Sequence, residues 1–341
     1  MRLDRYMALC LLDPEAGYYA TRDPFGQTGD FITAPEISQL FGEMVGLCLA
    51  QSWMDQGCPA PFLLAEAGPG RGTLMADILR VVARVPNMAD AARIHLVEAS
   101  ATLRGIQAET LAGYEVTWAD AVDALPQDRP LFFVANEFID ALPIRQFTRT
   151  ETGWAETQVG AEGGQLRAGR SPATRLARLE PRFAATAPGD VVEICPQAAT
   201  VVEAVAQRLV RGGMALFVDY GDWRSLGDTF QALRAHVPVD PFATPGEADL
   251  TAHVDFEALA CAAHAAGVAA SAMTPQGLFL ERLGITARAQ ALAKKLSGAA
   301  LEAHIAAHRR LTHPEEMGQL FKALALYPEG APLPPGLSPS G

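Results

Sequence analysis

The feature that most constrains the fold of this chain is a series of unbroken apolar runs that alternate with helical patterns. The runs are FLLAEA at 62–67, RIHLVEA at 93–99, YEVTWA at 114–119, LFFVAN at 131–136 and GMALFVDY at 213–220. Segments 73–85 and 100–112, between the first three, carry apolar residues at helical spacing. Apolar strands separated by helices are typical of a parallel sheet that is covered on both faces. We therefore predict a doubly wound α/β domain.

The remainder of the chain extends this domain and excludes several protein classes. Helical stretches near 255–267 and 285–310 precede a last strand at 321–327. The longest apolar runs are too short to span a bilayer, and residues 1–20 lack the pattern of a signal or transit peptide. We therefore expect a cytoplasmic protein without membrane insertion. The net charge of −12 argues against a nucleic-acid partner, which normally leaves a basic footprint.

Two segments interrupt the alternation and suggest how the chain is organised. Residues 1–58 precede the first sheet strand, and we expect them to form an N-terminal cap on a domain that covers 59–330. Residues from about 150 to 190 form an insertion rich in arginine, which is either a substrate arm or a surface hairpin. The tail at 331–341 is proline-rich, and we expect it to be disordered.

The glycine-rich segment that follows the first apolar run predicts a nucleotide-binding loop. Gly68, Gly70 and Gly72 lie at alternate positions, with Glu66 two residues ahead of them. A dinucleotide loop requires a glycine at position 73, where this chain has Thr73. In an open α/β sheet such a loop lies at the carboxyl ends of the strands, where the ligand binds. The carboxylate of Glu66 would repel a pyrophosphate, but it would favour an ammonium group.

Acidic residues follow the next two strands of the predicted sheet. Glu98 ends the second strand, where an acid can hold both ribose hydroxyls, and Asp120 ends the third, where it can accept from an adenine amino group. An acid on the ribose is common to dinucleotide and S-adenosylmethionine sites. The ordered set of glycines and acids favours S-adenosylmethionine, and a dinucleotide remains the alternative.

The residues that follow the fourth strand are Asn136, Glu137, Phe138, Ile139 and Asp140. This sequence differs from the Asn/Asp-Pro-Pro-Tyr/Phe motif of amide and adenine methyltransferases. Arginine is protonated in essentially all contexts, so its methylation requires carboxylates that orient the guanidinium. The two acids of this segment are the candidate catalytic residues. Asp140 could instead cap a helix after this loop.

The chain resembles the MidA family. The motifs that carry this resemblance are GYYATRDPFGQTGDFITAPEISQLFGE at 17–43, AEAGPGRGTLMADILR at 65–80, ANEFIDALP at 135–143, VVEICPQA at 191–198 and PGEADLTAHVDF at 245–256. The resemblance implies a class I methyltransferase fold and symmetric dimethylation of an arginine by S-adenosylmethionine. It adds Asn136 to the cofactor-binding residues. Mitochondrial members assemble respiratory complex I, whose hydrophilic quinone-side subunit becomes the candidate partner. The absence of a presequence fits a bacterial origin, and a homodimer is compatible with this family.

The resemblance also gives roles to two polar segments. Within GDFITAPEIS, residues that would turn over the cofactor, shield it from water or face the site are Gly29, Asp30, Phe31, Thr33 and Glu36. A Gly-Asp turn that caps a helix begun at Pro35 is the alternative. Within PGEADLTAHVDF, Asp249 and His253 are expected on the substrate side, unless this segment only fastens the insertion to the sheet.

No pattern of residues predicts a metal site. The five cysteines contain no C-x-x-C pair. His304 and His308 are one helical turn apart, but no acid completes a His-Glu-x-x-His pattern, and a solvated helix face is favoured.

Three functions remain open from the sequence. The first is a protein arginine N-methyltransferase, and the second is a methyltransferase that acts on a small molecule or on another protein side chain. The third is a non-catalytic assembly chaperone that retains the S-adenosylmethionine pocket. The acids after the fourth strand favour the first function over the third.

Overall fold

The computed structural model describes residues 1–21, 33–177, 179, 182–235 and 237–340. The strands of the main sheet and its short additions are β1 (Phe62–Ala67), β2 (Ala92–Val97), β3 (Val116–Ala119), β4 (Leu131–Asn136), β9 (Gly213–Asp222), β13 (Val254–Asp255), β14 (Val268–Ala272), β15 (Thr274–Pro275), β16 (Phe321–Pro328) and β17 (Ser338–Pro339). The remaining strands are β5 (Arg145–Thr150), β6 (Gly153–Glu162), β7 (Gln165–Arg170), β8 (Val191–Ile194), β10 (Gln231–Arg234), β11 (Val237–Val239) and β12 (Asp249–Thr251).

Helices surround these strands. They are α1 (Leu3–Leu12), α2 (Tyr18–Thr21), α3 (Ala34–Ile37), α4 (Gln39–Asp55), α5 (Thr73–Val82), α6 (Met88–Ala91), α7 (Ala101–Thr110), α8 (Pro196–Leu209), α9 (Phe256–Ala265), α10 (Gln276–Arg282), α11 (Ile285–Ala293) and α12 (Gly298–Thr312), with single turns at Val122–Ala124 and Pro314–Gly318. Within the described ranges, none of the helices combines the length and the apolar character that a membrane crossing requires.

The main sheet follows the order β3-β2-β1-β4-β9-β16-β14-β17. From β3 to β9 neighbouring strands are parallel, whereas β16 enters antiparallel between β9 and β14. Reversal of the strand order between β1 and β4 places a crevice at their carboxyl ends. This arrangement confirms the predicted doubly wound α/β fold.

Helices cover both faces of this sheet because its strands are apolar on both sides. In β1, Phe62 and Leu64 face a core that includes α4 and α5. Leu63 and Ala65 point to the opposite face, where α8 and α9 cover them. Continuous burial of β1 and β4 explains why their sequences are apolar without alternation.

The segment between β4 and α8 forms a separate antiparallel sheet, in the order β7-β6-β5-β8. Its small core contains Phe147, Trp154 and Val192. The first half of the segment expected to be a substrate arm or a surface hairpin forms β6 and β7 of this sheet. Arg182 connects the segment to the start of α9, since its Nε donates to Glu257 Oε2 at 2.6 Å.

Two parts of the fold differ from the expectations. The predicted helix at 285–310 is divided into α11 and α12, because the chain leaves the helical backbone between them. Ser297 is extended, with φ −153° and ψ 163°, and α12 begins at Gly298, which has a φ of +53°. The tail, expected to be disordered, is ordered where the structure describes it. Leu337 is buried in the main core, β17 pairs with β14, and the Cys48 thiol lies 3.4 Å from the Pro335 carbonyl.

Candidate active site

A cavity lies at the carboxyl ends of β1 and β4, beside the glycine loop. Its walls come from four parts of the chain: α3, the loop after β1, the start of α5 and the end of β4. The lining residues are Thr33, Pro35, Glu36, Glu66, Gly68, Pro69, Gly70, Arg71, Thr73, Leu74, Asn136 and Glu137. The structure therefore brings together Glu66, Asn136 and two of the loop glycines, one of the predicted catalytic acids, and Thr33 and Glu36, the two predicted residues of the GDFITAPEIS segment that lie within the described part of the chain.

The glycine loop uses a backbone conformation that L side chains rarely adopt. The φ angles of Gly68, Gly70 and Gly72 are +64°, +52° and +83°. A Cβ on Gly68 would lie 2.8 Å from the Phe138 ring, so this position requires glycine for its conformation and for its close packing. Gly72 lies outside the cavity lining and instead precedes the first residue of α5.

Two buried acceptor atoms lie on residues that line this cavity. Glu66 is 2% exposed and Asn136 is 7% exposed. Within the described part of the chain, Glu66 Oε2 and Asn136 Oδ1 have no hydrogen-bond partner. Burial raises the pKa of Glu66 to about 8. Buried acceptors normally have a donor, so the donor that these atoms lack fits the ammonium group of S-adenosylmethionine.

Glu98 lies at the end of β2 and is linked to the glycine loop by a residue that the sequence reasoning missed. Gln107 is fully buried, and its Nε2 donates to the Gly70 carbonyl at 2.8 Å and to Glu98 Oε2 at 3.2 Å. Its Oε1 accepts from the indole of Trp118 at 2.8 Å. Glu98 Oε1 accepts from the backbone of Ser100 at 2.8 Å, while burial raises the Glu98 pKa.

Asp120 lies beyond the cavity, on an open side of the site. Its side chain is 88% exposed and pairs with Arg104 Nη2 at 2.5 Å. Arg104 Nε also donates to the Glu98 carbonyl at 2.7 Å. Arg104 therefore holds the ends of β2 and β3 together, and a contact between Asp120 and adenine remains a prediction.

Glu137 is the predicted catalytic acid that lines the cavity. Its φ of +51° is unusual for a residue with a side chain. Its Oε1 accepts from the backbone of Ala34 at 3.0 Å and from Asn136 Nδ2 at 3.2 Å. Burial is the main cause that raises its pKa, to about 7. A carboxyl group with this pKa can hold or release a proton near neutral pH.

Asp140 is buried close to Glu137 but does not line the cavity. Its Oδ1 has no hydrogen-bond partner among the described residues, and burial raises its pKa to about 6. The alternative role as a helix cap is wrong, because residues 137–144 lead directly into β5 without forming a helix.

The cap contributes the short helix α3 to the site. Glu36 Oε1 accepts from the hydroxyl of Thr73, the first residue of α5, at 2.5 Å. Thr33 precedes α3, and its carbonyl accepts from the Glu36 backbone at 2.9 Å. Both residues line the cavity, and their roles toward the cofactor or substrate remain predictions. The other three predicted cap residues, Gly29, Asp30 and Phe31, lie outside the described residues.

The second polar segment lies beside the cavity without lining it. Asp249 is buried in β12, and its Oδ1 accepts from the Tyr19 hydroxyl at 2.9 Å. The His253 ring meets the Tyr220 ring edge-on, with centroids 5.4 Å apart. Burial, followed by Lys322, lowers the pKa of His253. Substrate-side roles for Asp249 and His253 remain predictions.

Among the described residues, no cluster of His, Cys, Asp or Glu could hold a metal ion. His304 Nε2 lies 3.0 Å from the Ala289 carbonyl. His308 Nε2 lies 2.9 Å from the Thr286 hydroxyl. Both rings therefore connect α12 to α11.

Comparison with known proteins identifies the chemistry of this fold. A family model for S-adenosyl-L-methionine-dependent methyltransferases matches residues 44–274. The mitochondrial protein arginine methyltransferase NDUFAF7 of Xenopus tropicalis is 36% identical, over 96% of this chain and 82% of its own length. Human NDUFAF7, also mitochondrial, is 36% identical over 95% of this chain and 79% of its own length.

A solved structure supports the same assignment. The crystal structure of a COG1565 superfamily member from Burkholderia thailandensis, bound to S-adenosyl-homocysteine, has a TM-score of 0.84 and 30% identity to this chain. The alignment covers 98% of this chain and 89% of that one. The fold, the family and S-adenosylmethionine as the cofactor are therefore confirmed.

One expectation is corrected by these relatives. The cytoplasmic location and bacterial origin expected from the sequence are contradicted, because the curated relatives that the chain matches are mitochondrial proteins. The match over residues 44–274 and the identity to these relatives lead to one assignment. The chain belongs to the family of S-adenosyl-L-methionine-dependent methyltransferases.

Proposed function

We propose that the protein is an arginine N-methyltransferase that symmetrically dimethylates an arginine of a protein substrate. The observation that carries this proposal is the position of Glu137, a half-buried acid that lines the cofactor cavity next to the buried Asn136. Asp140, three residues further, keeps a buried oxygen without a partner among the described residues. Relatives at 36% identity are named protein arginine methyltransferases, which supports the same substrate class.

Two nearby carboxylates suit the chemistry of a guanidinium. The cofactor supplies a methyl group on a positively charged sulfur. As the nitrogen–carbon bond forms and the carbon–sulfur bond breaks, the attacking nitrogen must release a proton. A carboxylate can accept hydrogen bonds from a guanidinium in a forked geometry, and Glu137, with its pKa of about 7, can then take the released proton.

The substrate that we propose is a hydrophilic, quinone-side subunit of respiratory complex I, on the basis of the resemblance to the MidA family. The protein would act on this subunit as a soluble partner, and a homodimer is compatible with that role. Two other functions are distinguishable by experiment. A methyltransferase that acts on a small molecule would modify no protein, and a non-catalytic chaperone would bind the subunit and transfer no methyl group.

The decisive experiment measures methyl transfer to a fragment of that subunit, with cofactor affinity titrated on the same samples. We expect wild-type protein to yield symmetric dimethylarginine, identified by mass spectrometry. The Glu137→Gln substitution retains size and hydrogen-bonding capacity but removes the charge. It should lower methyl transfer by about two orders of magnitude and change cofactor affinity little.

Glu43→Gln is the control, because Glu43 is a glutamate with little exposure that lies outside the cavity and pairs with Arg288 on α11. This variant should transfer methyl groups at a rate near that of the wild type. Near-normal turnover in Glu137→Gln would eliminate the proposed role of this carboxylate. Parallel loss of cofactor binding would instead make Glu137 a cofactor ligand.

A further inference from the structure

Asp219, near the end of β9, gathers the backbone of the loop that carries the two proposed catalytic acids. Its side chain is buried, with 2% of the residue exposed. The single oxygen Oδ2 accepts from the backbone N–H groups of Phe138 at 3.2 Å, Ile139 at 3.0 Å and Asp140 at 3.3 Å. The other oxygen, Oδ1, accepts from the Tyr220 N–H at 3.0 Å.

The loop needs such an anchor because its first residue has an unfavourable conformation. Glu137 has a φ of +51°, and a left-handed backbone is unfavourable for a residue with a Cβ. Its N–H donates to the Val218 carbonyl at 2.9 Å. Two successive residues of β9, Val218 and Asp219, therefore bind four consecutive N–H groups of the loop. Strained conformations persist where their surroundings fix them in this way.

The donors also fit the charge of this side chain. Both Asp219 oxygens accept from backbone N–H groups, and hydrogen bonds to a carboxylate favour its ionised form. Burial, together with Asp140 and Glu137, acts in the opposite direction and raises the pKa of Asp219. Asp219 does not line the cofactor cavity, so its effect on the reaction must pass through the loop.

We propose that Asp219 is a positioning residue, which fixes the loop at 137–140 so that Glu137 faces the methyl acceptor. This inference rests on the proposed arginine methyltransferase function. The role is indirect, because Asp219 contacts neither the cofactor cavity nor the substrate in this geometry. The same anchor orients Asp140, whose own N–H is the third donor to Asp219 Oδ2.

The substitution Asp219→Asn tests this role with little change in shape. An amide has one acceptor oxygen and an NH₂ group that can only donate. In either orientation, the NH₂ group would face the loop donors or the Tyr220 N–H, which are donors themselves. We expect the maximal rate of methyl transfer to fall about 10- to 100-fold, with the cofactor dissociation constant within about threefold of the wild-type value.

Asp255→Asn is the control for loss of a half-buried carboxylate, which pairs with Arg182. Asp255 caps α9 by accepting from the Ala258 N–H at 2.9 Å, and it does not bind the 137–140 loop. Its substitution should lower the thermal midpoint to a similar extent without the selective loss of turnover. Equal losses of turnover in both variants would mean that Asp219 only stabilises the fold, and this would overturn the proposal.

A double-mutant cycle with Glu137→Gln separates positioning from an independent contribution. If Asp219 acts through the loop that carries Glu137, adding Asp219→Asn to Glu137→Gln should lower the rate further by clearly less than the roughly 10- to 100-fold loss expected in the wild-type background. Losses that multiply would overturn the proposal, as would wild-type turnover in Asp219→Asn.

Amide hydrogen exchange gives a readout that does not depend on methyl transfer. The amides of Phe138, Ile139 and Asp140 should exchange faster in Asp219→Asn, whereas the Ala258 amide should keep its protection. Unchanged exchange in the loop would overturn the anchor. If the loop amides respond but the wild-type protein modifies no arginine, the proposed function fails and the anchoring geometry stands.

Discussion

Gln107 Nε2 lies 3.2 Å from Glu98 Oε2 and 2.8 Å from the Gly70 carbonyl. One side chain from α7 therefore joins the acid at the end of β2 to the glycine loop at the end of β1. Gln107 does not line the cavity, and yet it links two of the elements that we predict to bind the cofactor. Such a link fixes the two elements relative to each other, and this lowers the cost of ordering on binding.

We expect Gln107→Leu to weaken cofactor binding by roughly tenfold, equivalent to about 1.4 kcal/mol. Leucine has nearly the same volume, but it would leave the Trp118 indole and the Gly70 carbonyl without their partner. Isothermal titration with S-adenosylmethionine would measure the change. Gln276→Leu is the control. Gln276 is equally buried, but it donates to the carbonyl of Leu311, and neither residue lines the cavity. Equal affinity in the two variants would disprove the link.

Cofactor binding at pH 7 should release about one proton from Glu66. The pKa of this carboxyl is raised to about 8 by burial, so it is mostly protonated in the free protein. An ammonium group beside it would favour the charged form and expel the proton. Titrations in buffers with different ionisation enthalpies would count the protons. Glu66→Gln should release none, and equal release in both proteins would exclude Glu66 from the ammonium site.

The same carboxyl should make the cofactor-free protein less stable as the pH rises. The pKa of Glu66 increases from 4.5 to about 8 on folding, so between these values the native protein binds a proton that the unfolded chain has lost. Its contribution is complete below pH 4.5 and disappears as the pH rises through about 8. Glu66→Gln should flatten this decline by a few kcal/mol, measured as the free energy of unfolding in urea. An unchanged slope would contradict the raised pKa.

Gly68→Ala should disturb both the glycine loop and the loop that carries Phe138. The added Cβ would lie 2.8 Å from the Phe138 ring, and the φ of +64° disfavours any side chain. We expect a loss of about 1–2 kcal/mol in the free energy of unfolding and weaker cofactor binding. Gly105→Ala is the control, since a Cβ there meets no atom within 4 Å. A Gly68→Ala protein with wild-type affinity would show that the ring moves aside freely.

The central fold was predictable because strands that are buried on both faces have continuously apolar sequences. The limits of β1 and β4 match the apolar runs at 62–67 and 131–136. The location of the glycine loop, Glu66 and Glu137 was equally predictable. Residues at the carboxyl ends of parallel strands meet at one edge of the sheet. Local pattern and topology were sufficient for these residues.

Other features depend on contacts between distant parts of the chain. Gln107 lies within a helix, and no local pattern distinguishes it from a solvent-facing glutamine. Asp219 was closer to recognition, because it is an acid near the end of a strand, as are Glu98 and Asp120. Its function as an acceptor depends on donors that are 79–81 residues away in the sequence. Only the folded structure shows that these N–H groups lie within hydrogen-bond distance.

The ordered tail has a consequence for how the protein behaves at high concentration. By pairing with Ser271 and Ala272, residues Ser338–Pro339 cover part of the β14 edge of the main sheet. Exposed strand edges can pair with those of other molecules. A chain shortened after Pro328 should therefore self-associate, with an apparent mass that grows with concentration in light scattering. It should also expose Cys48, now buried beside Pro335, to thiol reagents.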